Sequence, residues 1–219
     1  MRKQGYSLVV FDWEGTLGDT VGQTLIRLAN EVEQPMSSAD VGAHDYLIRY
    51  LSQSVRACFP HWSDEQIEHF CDMKLSAHKV SSADASLFPD AKRLLMSLKR
   101  AGLDLAIATN KGQQSLQCAL QRAGIQDLIT VTRSAGQTQP KPCPQMLEEI
   151  LIELAYTADD ALMVGDSVSD MEMARQIGMV CVGIDFYHQN TAALLTAGAE
   201  EVFDNYQDLA NYLNLPIDN

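Results

Sequence analysis

The sequence predicts an α/β fold, with a Rossmann-like, mostly parallel sheet core carrying helices on both faces and an additional small all-helical segment. Short apolar runs of strand length, helical periods between them, and one long helical stretch without a strand carry that expectation. The runs are residues 8–11, 105–108, 128–131, 162–164 and 180–184, each followed by Gly, Asp, Thr or Asn within a few positions. Unbroken apolar runs of this kind suit strands buried on both faces. Between them, Leu94, Leu95 and Leu98 precede Gly102, and Leu116, Leu120 and Ala123 precede Gly124. Those glycines stand where a helix end needs a left-handed residue. In such a sheet, ligands bind beyond the carboxyl ends of the strands.

Residues 18–82 break the alternation. Val21, Leu25, Leu28 and Val32, then Leu47, Tyr50, Leu51 and Val55, then Ile67, Phe70 and Cys71 recur at helical spacing with no strand among them. Gly18 and Asp19 are the outgoing linker and residues 81–84 the return. The expected organisation is therefore a core of 1–17 and 83–219 around a helical insertion at 18–82.

With 219 residues, 46% of them hydrophobic, the chain can bury a full-sized core. Its 16 basic residues face 29 acidic ones, a formal charge of -13, which excludes a general nucleic-acid binder. A phosphate site in such a chain must gather its few positive groups locally. The five cysteines, Cys58, Cys71, Cys118, Cys143 and Cys181, form no CxxC pair and are read as reduced thiols. The apolar run after the amino terminus is too short for a signal peptide, and no stretch approaches the ~18 apolar residues of a membrane span. A cytoplasmic protein without a membrane partner, monomeric or homodimeric, is the expectation.

The first strand runs into Asp12-Trp13-Glu14-Gly15-Thr16-Leu17, which sets two carboxylates two positions apart just past the strand end. A carboxylate is a usable nucleophile toward phosphorus, because the acyl phosphate it forms is itself readily hydrolysed. The second carboxylate, Glu14, can protonate a leaving oxygen and then take a proton from water. Taken alone, the segment is equally an ordinary turn at Gly15. Thr109 and Asn110 offer a hydroxyl and a backbone N–H to phosphoryl oxygens, although Thr109-Asn110-Lys111-Gly112 also reads as a plain helix N-cap. Lys141 lies between Pro140 and Pro142 with Pro144 following, so its backbone is stiffened and its ammonium can be aimed, although by itself it reads equally as a solvent-exposed lysine in a proline-rich turn. Asp166 and Asp170 are four apart at a strand-to-helix junction, where they suit a hard cation such as magnesium or, alternatively, capping and helix-dipole roles.

Asp12, Thr109, Lys141 and Asp166 fall in this order at the ends of strands of one sheet, and one shared site accounts for all four. The order resembles the four motifs of the haloacid dehalogenase-like hydrolases. Asp12 with Glu14 matches the first, Thr109 the second, Lys141 the third, and Asp166 with Asp170 the fourth. Leu87-Phe88-Pro89, Thr109-Asn110-Lys111 and Lys141-Pro142-Cys143-Pro144 look most like the phosphoglycolate phosphatase-like branch. The resemblance implies that 18–82 is a helical cap domain and that the substrate is a small phosphorylated metabolite. It implies a magnesium-dependent phosphatase phosphorylated on Asp12, with Mg2+ held by Asp12, the backbone carbonyl of Glu14, and Asp166. Thr109 and Asn110 would bind the phosphoryl group, Lys141 would offset the crowded carboxylates, and Asp170 would act from behind the metal ligands. Phosphoglucomutase-type transfer, 2-haloacid dehalogenation and an impaired phosphate-binding module are the alternatives.

The family's phosphatases usually carry Asp where this chain has Glu14, one methylene longer. Misplacing a catalytic group by about 1 Å costs on the order of a hundredfold in rate, so slow turnover or an unusual substrate is expected. His44, Asp45, Tyr46, Arg49 and Arg56 are the insertion residues that could face a substrate, although each reads more readily as a solvated or structural residue.

Overall fold

The computed structural model describes residues 5–19, 22, 52, 55, 56, 60, 62–71 and 87–215. The chain divides into two compact units, Met1–Gly18 with Leu87–Asn219, and Asp19–Ser86.

The first unit is built on six parallel strands: β1 (Leu8–Phe11), β2 (Asp104–Gly112), β3 (Val131–Ala135), β4 (Ala161–Gly165), β5 (Val180–Ile184) and β6 (Val202–Phe203). Their spatial order is β3-β2-β1-β4-β5-β6. The helices are α1 (Ala91–Arg100), α2 (Gln113–Ala123), α3 (Gln145–Leu154), α4 (Val168–Gln176), α5 (Thr191–Ala197) and α6 (Tyr206–Tyr212). Strand residues alternate between two cores, as the period of two requires. Val9, Phe11, Leu105, Ile107, Leu162 and Val164 pack with α1, α2 and α6 on one face. Leu8, Val10, Ala106, Ala108, Ala161 and Met163 pack with α3, α4 and Leu194 of α5 on the other.

The chain order reverses between β1 and β4, which are paired in register from Leu8 with Ala161 to Phe11 with Val164. At such a reversal the connections leave in opposite directions and open a crevice beyond the strand ends. Asp12 follows β1 and Asp166 follows β4, so the topology alone brings these two residues to the mouth of that crevice.

Helix ends follow the glycines, since Gly102 and Gly124 adopt φ of 87° and 60°. The apolar run 128–131 behaves otherwise. Gln126–Leu128 is a 3-10 turn and β3 begins only at Val131, because Leu128 and Ile129 supply partly buried packing to the first core from a loop. The two-residue β6 was not anticipated, being too short to leave a pattern.

In the second unit, residues 64–71 are helical, and Val55, Ile67, Phe70 and Cys71 are buried. The helix start is capped reciprocally, with Gln66 N donating to Ser63 Oγ at 3.2 Å and Ser63 N to Gln66 Oε1 at 2.8 Å. Trp62 meets Phe70 edge-on at 5.3 Å between ring centroids. Arg56 is exposed and pairs with Asp64. The expected helical patterns at 21–32 and 47–51, and His44, Asp45, Tyr46 and Arg49, lie outside the described residues.

Candidate active site

Asp12 is held where β1 ends by its own N–H, which donates to the Val164 carbonyl at 2.9 Å. Its carboxylate, Asp166 and Asp170 bring one oxygen each within 4.8 Å of one another. Three carboxylates gathered this closely repel one another, and a side-chain cation is bonded to two of them. Lys141 Nζ donates to Asp12 Oδ1 at 2.6 Å and to Asp170 Oδ1 at 2.5 Å, with the lysine 8% exposed. The local positive charge demanded by an acidic chain is therefore present.

The electrostatics follow from burial and crowding. Burial, with the added repulsion of Asp170, pushes the Asp12 carboxyl up to about 6 despite the opposing pull of Lys141. Burial and the neighbouring Asp12 and Asp170 push Asp166 up to about 8. Burial alone would lower Lys141, but the attraction of Asp12 and Asp170 outweighs it and raises the lysine above its ordinary value. Carboxylates pushed up in this way are undercompensated, and their oxygens are hard donors, so the set fits a divalent cation of magnesium's type.

Asp170 answers both readings of its position. Its Oδ2 accepts from Ser167 Oγ at 2.6 Å and from Ser167 N at 3.1 Å, closing a capping box at the start of α4, while Oδ1 takes the Lys141 bond. Both oxygens are thus engaged within the protein. Asp166 does not cap the helix, since the N-cap is Ser167. Asp166 Oδ1 instead accepts from Thr16 Oγ1 at 3.1 Å.

The 109–111 segment is not a helix cap either. It belongs to β2, and Gly112 precedes α2 without a side-chain cap. Buried Thr109 accepts from Lys111 N at 3.2 Å, which leaves its own hydroxyl hydrogen for another acceptor. Asn110 Oδ1 accepts from Lys141 N at 2.9 Å and so ties the loop carrying that lysine to the end of β2. Gln176 of α4 donates to the Pro142 carbonyl at 2.6 Å, holding the same loop from its other side. Glu14 stands apart from the three crowded carboxylates. Its side chain is 47% exposed and accepts from Lys111 Nζ at 2.9 Å.

Two glycines make the close approaches possible. Gly15 has φ 79°, and a Cβ there would sit 2.0 Å from Asp166 Oδ2; a Cβ on Gly165 would lie 2.5 Å from Asp170. Any side chain at either position would displace a carboxylate of the site. Sequence reasoning missed the parts played by Thr16, Ser167 and Lys111, and the support of Thr16 by Tyr206, whose hydroxyl donates to the Thr16 carbonyl. Of these, Ser167 was legible, because Ser167-Val168-Ser169-Asp170 fits the S-x-x-D capping pattern.

The model of the family described as haloacid dehalogenase-like hydrolase matches residues 9–184. A phosphoglycolate phosphatase of Vibrio cholerae is 31% identical over 215 residues, covering 90% of this chain and 92% of that relative. Another, from Rhodospirillum rubrum, is 35% identical over 136 residues, and the match spans 61% of this chain and 56% of the relative's length. The crystal structure of a predicted phosphoglycolate phosphatase from Haemophilus somnus superposes with a TM-score of 0.64 at 20% identity, over 96% of this chain and 99% of that one.

Proposed function

Since this chain belongs to the haloacid dehalogenase-like hydrolase family, we propose that it is a magnesium-dependent phosphatase that hydrolyses a small phosphomonoester through an aspartyl-phosphate on Asp12. The observation that carries the reading is the meeting of Asp12, Asp166 and Asp170 at the reversal of strand order, with one buried ammonium bonded to Asp12 and Asp170. The names of the relatives support a substrate of the phosphoglycolate or sugar phosphate kind. The division into an α/β core (1–17 and 83–219) and a helical cap (18–82), and a cytoplasmic monomer or homodimer, belong to the same proposal. No helix among the described residues is long and apolar enough to cross a membrane.

In this reading the Asp12 carboxylate attacks phosphorus, the bond from phosphorus to the leaving oxygen breaks, and Glu14 in its acid form protonates that oxygen. Water then attacks the phosphorus of the acyl phosphate and gives its proton to Glu14, which releases phosphate and restores Asp12. The Thr109 hydroxyl and the Asn110 N–H donate to phosphoryl oxygens, while Lys141 offsets their charge and that of the carboxylates. Asp170 gives the Lys141 ammonium a second partner beside Asp12. Magnesium, when bound, would be held by Asp12, Asp166 and the Glu14 backbone carbonyl, and supplies further charge neutralisation at the phosphoryl group.

A phosphate-release screen over a broad set of phosphorylated metabolites tests the proposal. Release from at least one small phosphomonoester, dependent on Mg2+, is expected. No release from any of them with Mg2+ present would overturn the reading.

The titration of the site supplies a second test that needs no substrate. In the metal-free protein the folded-state values of Asp12, about 6, and Asp166, about 8, stand above that of an unfolded carboxyl. The folded state thus holds protons that the unfolded chain releases near about pH 4. The stability this gives is complete below that pH and is lost as the pH rises through both folded values. A divalent cation takes the place of those protons, so its affinity rises over the same window. The stabilisation by Mg2+, read as an increase in Tm, is therefore expected to be near zero at about pH 4–5 and to grow up to about pH 9, where the free energy gained reaches on the order of 3 kcal/mol at about a hundred times Kd. A shift that is the same at every pH would contradict this account.

A further inference from the structure

We propose that Lys111 is the positioning residue for Glu14, an inference that rests on the phosphatase reading and deepens it. The two side chains come from neighbouring parallel strand ends, Glu14 after β1 and Lys111 in the last residues of β2, and meet at 2.9 Å. Lys111 is the less exposed partner, at 23% of its side chain against 47% for Glu14. A half-exposed ion pair of this kind contributes little to stability, about 1 kcal/mol or less, so fold maintenance alone gives no reason for the contact.

Its geometry gives one. Glu14 has one methylene more than the usual acid of the family's phosphatases, and an unrestrained Glu samples several rotamers that carry its head away from the phosphorus-bearing end of the crevice. The ammonium fixes the carboxylate toward β2, the strand whose Thr109 and Asn110 are assigned to the phosphoryl group. The segment 109–111 then does three jobs in consecutive residues. Thr109 presents a hydroxyl, Asn110 fixes the Lys141 backbone, and Lys111 fixes the acid-base group.

A group that acts by placing a general acid leaves a signature that depends on the leaving group. An alkoxide must be protonated as it departs, whereas the anion of an acidic phenol such as 4-nitrophenol departs with little help. In the full chain with Mg2+, Lys111→Met is expected to lower the pre-steady-state rate of leaving-alcohol release from an alkyl phosphomonoester about 10- to 100-fold and that of 4-nitrophenol release from 4-nitrophenyl phosphate less than about 3-fold, while the later hydrolysis of the aspartyl-phosphate, in which Glu14 takes the proton of water, slows alike for both. Lys111→Arg, which keeps the charge and the reach, is expected to restore most of the alkyl phosphate activity. In a Glu14→Gln background, Lys111→Met should cost nothing further on the alkyl substrate.

Equal losses on both substrates in the rate of leaving-group release, a change confined to KM, or an additive loss in the Glu14→Gln background would overturn the inference while the phosphatase reading stands. A wild-type chain that releases phosphate from neither substrate would overturn both. An unchanged Tm in Lys111→Met keeps misfolding from imitating the expected loss.

Discussion

Asp12→Asn is expected to lower phosphate release by at least about 10³-fold while leaving the protein folded. The amide has nearly the shape of the carboxylate but no nucleophilic charge, so the acyl phosphate cannot form. Lys141 keeps its second partner, since its bond to Asp170 does not involve Asp12. Replacing the carboxylate also removes one of three mutually repelling groups, so Tm should not fall by more than a few degrees. The measurement is single-turnover phosphate release beside thermal unfolding. A variant that retains more than about one per cent of wild-type turnover would mean that another group attacks phosphorus, and the assignment of Asp12 would be lost.

Lys141→Met is expected to damage both activity and fold. The lysine ammonium is buried between two carboxylates, with side-chain exposure of 3% for Lys141, 10% for Asp12 and 0% for Asp170. Removing one partner of a buried ion pair leaves the others uncompensated, which typically costs about 3–5 kcal/mol. The raised values of Asp12 and Asp166 show that their charges are undercompensated even with the lysine present. Denaturant unfolding should therefore register the full loss without added metal at neutral pH, and Mg2+ should return part of it by supplying positive charge to the same oxygens. Loss of stability below about 1 kcal/mol, or no recovery with Mg2+, would contradict the proposed metal site.

The two variants also separate the roles of neighbouring groups. Asp12→Asn removes the nucleophile and one negative charge while leaving Lys141 paired with Asp170. Lys141→Met tests charge balance with the nucleophile intact. Parallel behaviour of the two, in turnover and in unfolding alike, would reduce the cluster to a structural ion network.

Much of the site was legible in the sequence because the fold exposes functional groups at the ends of strands. Asp12, Thr109 and Asp166 could be placed by finding where apolar runs stop. Lys141 stood out through its prolines, but nothing local showed that its ammonium reaches Asp12 and Asp170, which are 129 and 29 residues away in the chain. The Glu14 departure was visible, and its partner was not. Lys111 is 97 positions distant and sits in a segment that reads locally as a helix N-cap. Apolar content misled at 128–131, where Leu128 and Ile129 pack from a loop. Burial draws apolar side chains inward whether or not the backbone pairs as a strand.

By itself, the sequence determined the kinds of element, the residues at strand ends and the chemical inventory of the site, all of which are set by local periodicity and side-chain type. Only the tertiary structure decided the strand order, and with it the partners. Placing β1 between β2 and β4 brought Asp12 beside Asp166, and Glu14 beside Lys111. The physical reason is that a parallel sheet buries each strand equally well in several orders, so hydrophobic pattern cannot choose among them. The choice falls to long-range packing and to the few buried charges, which are tolerated only where opposite charges meet.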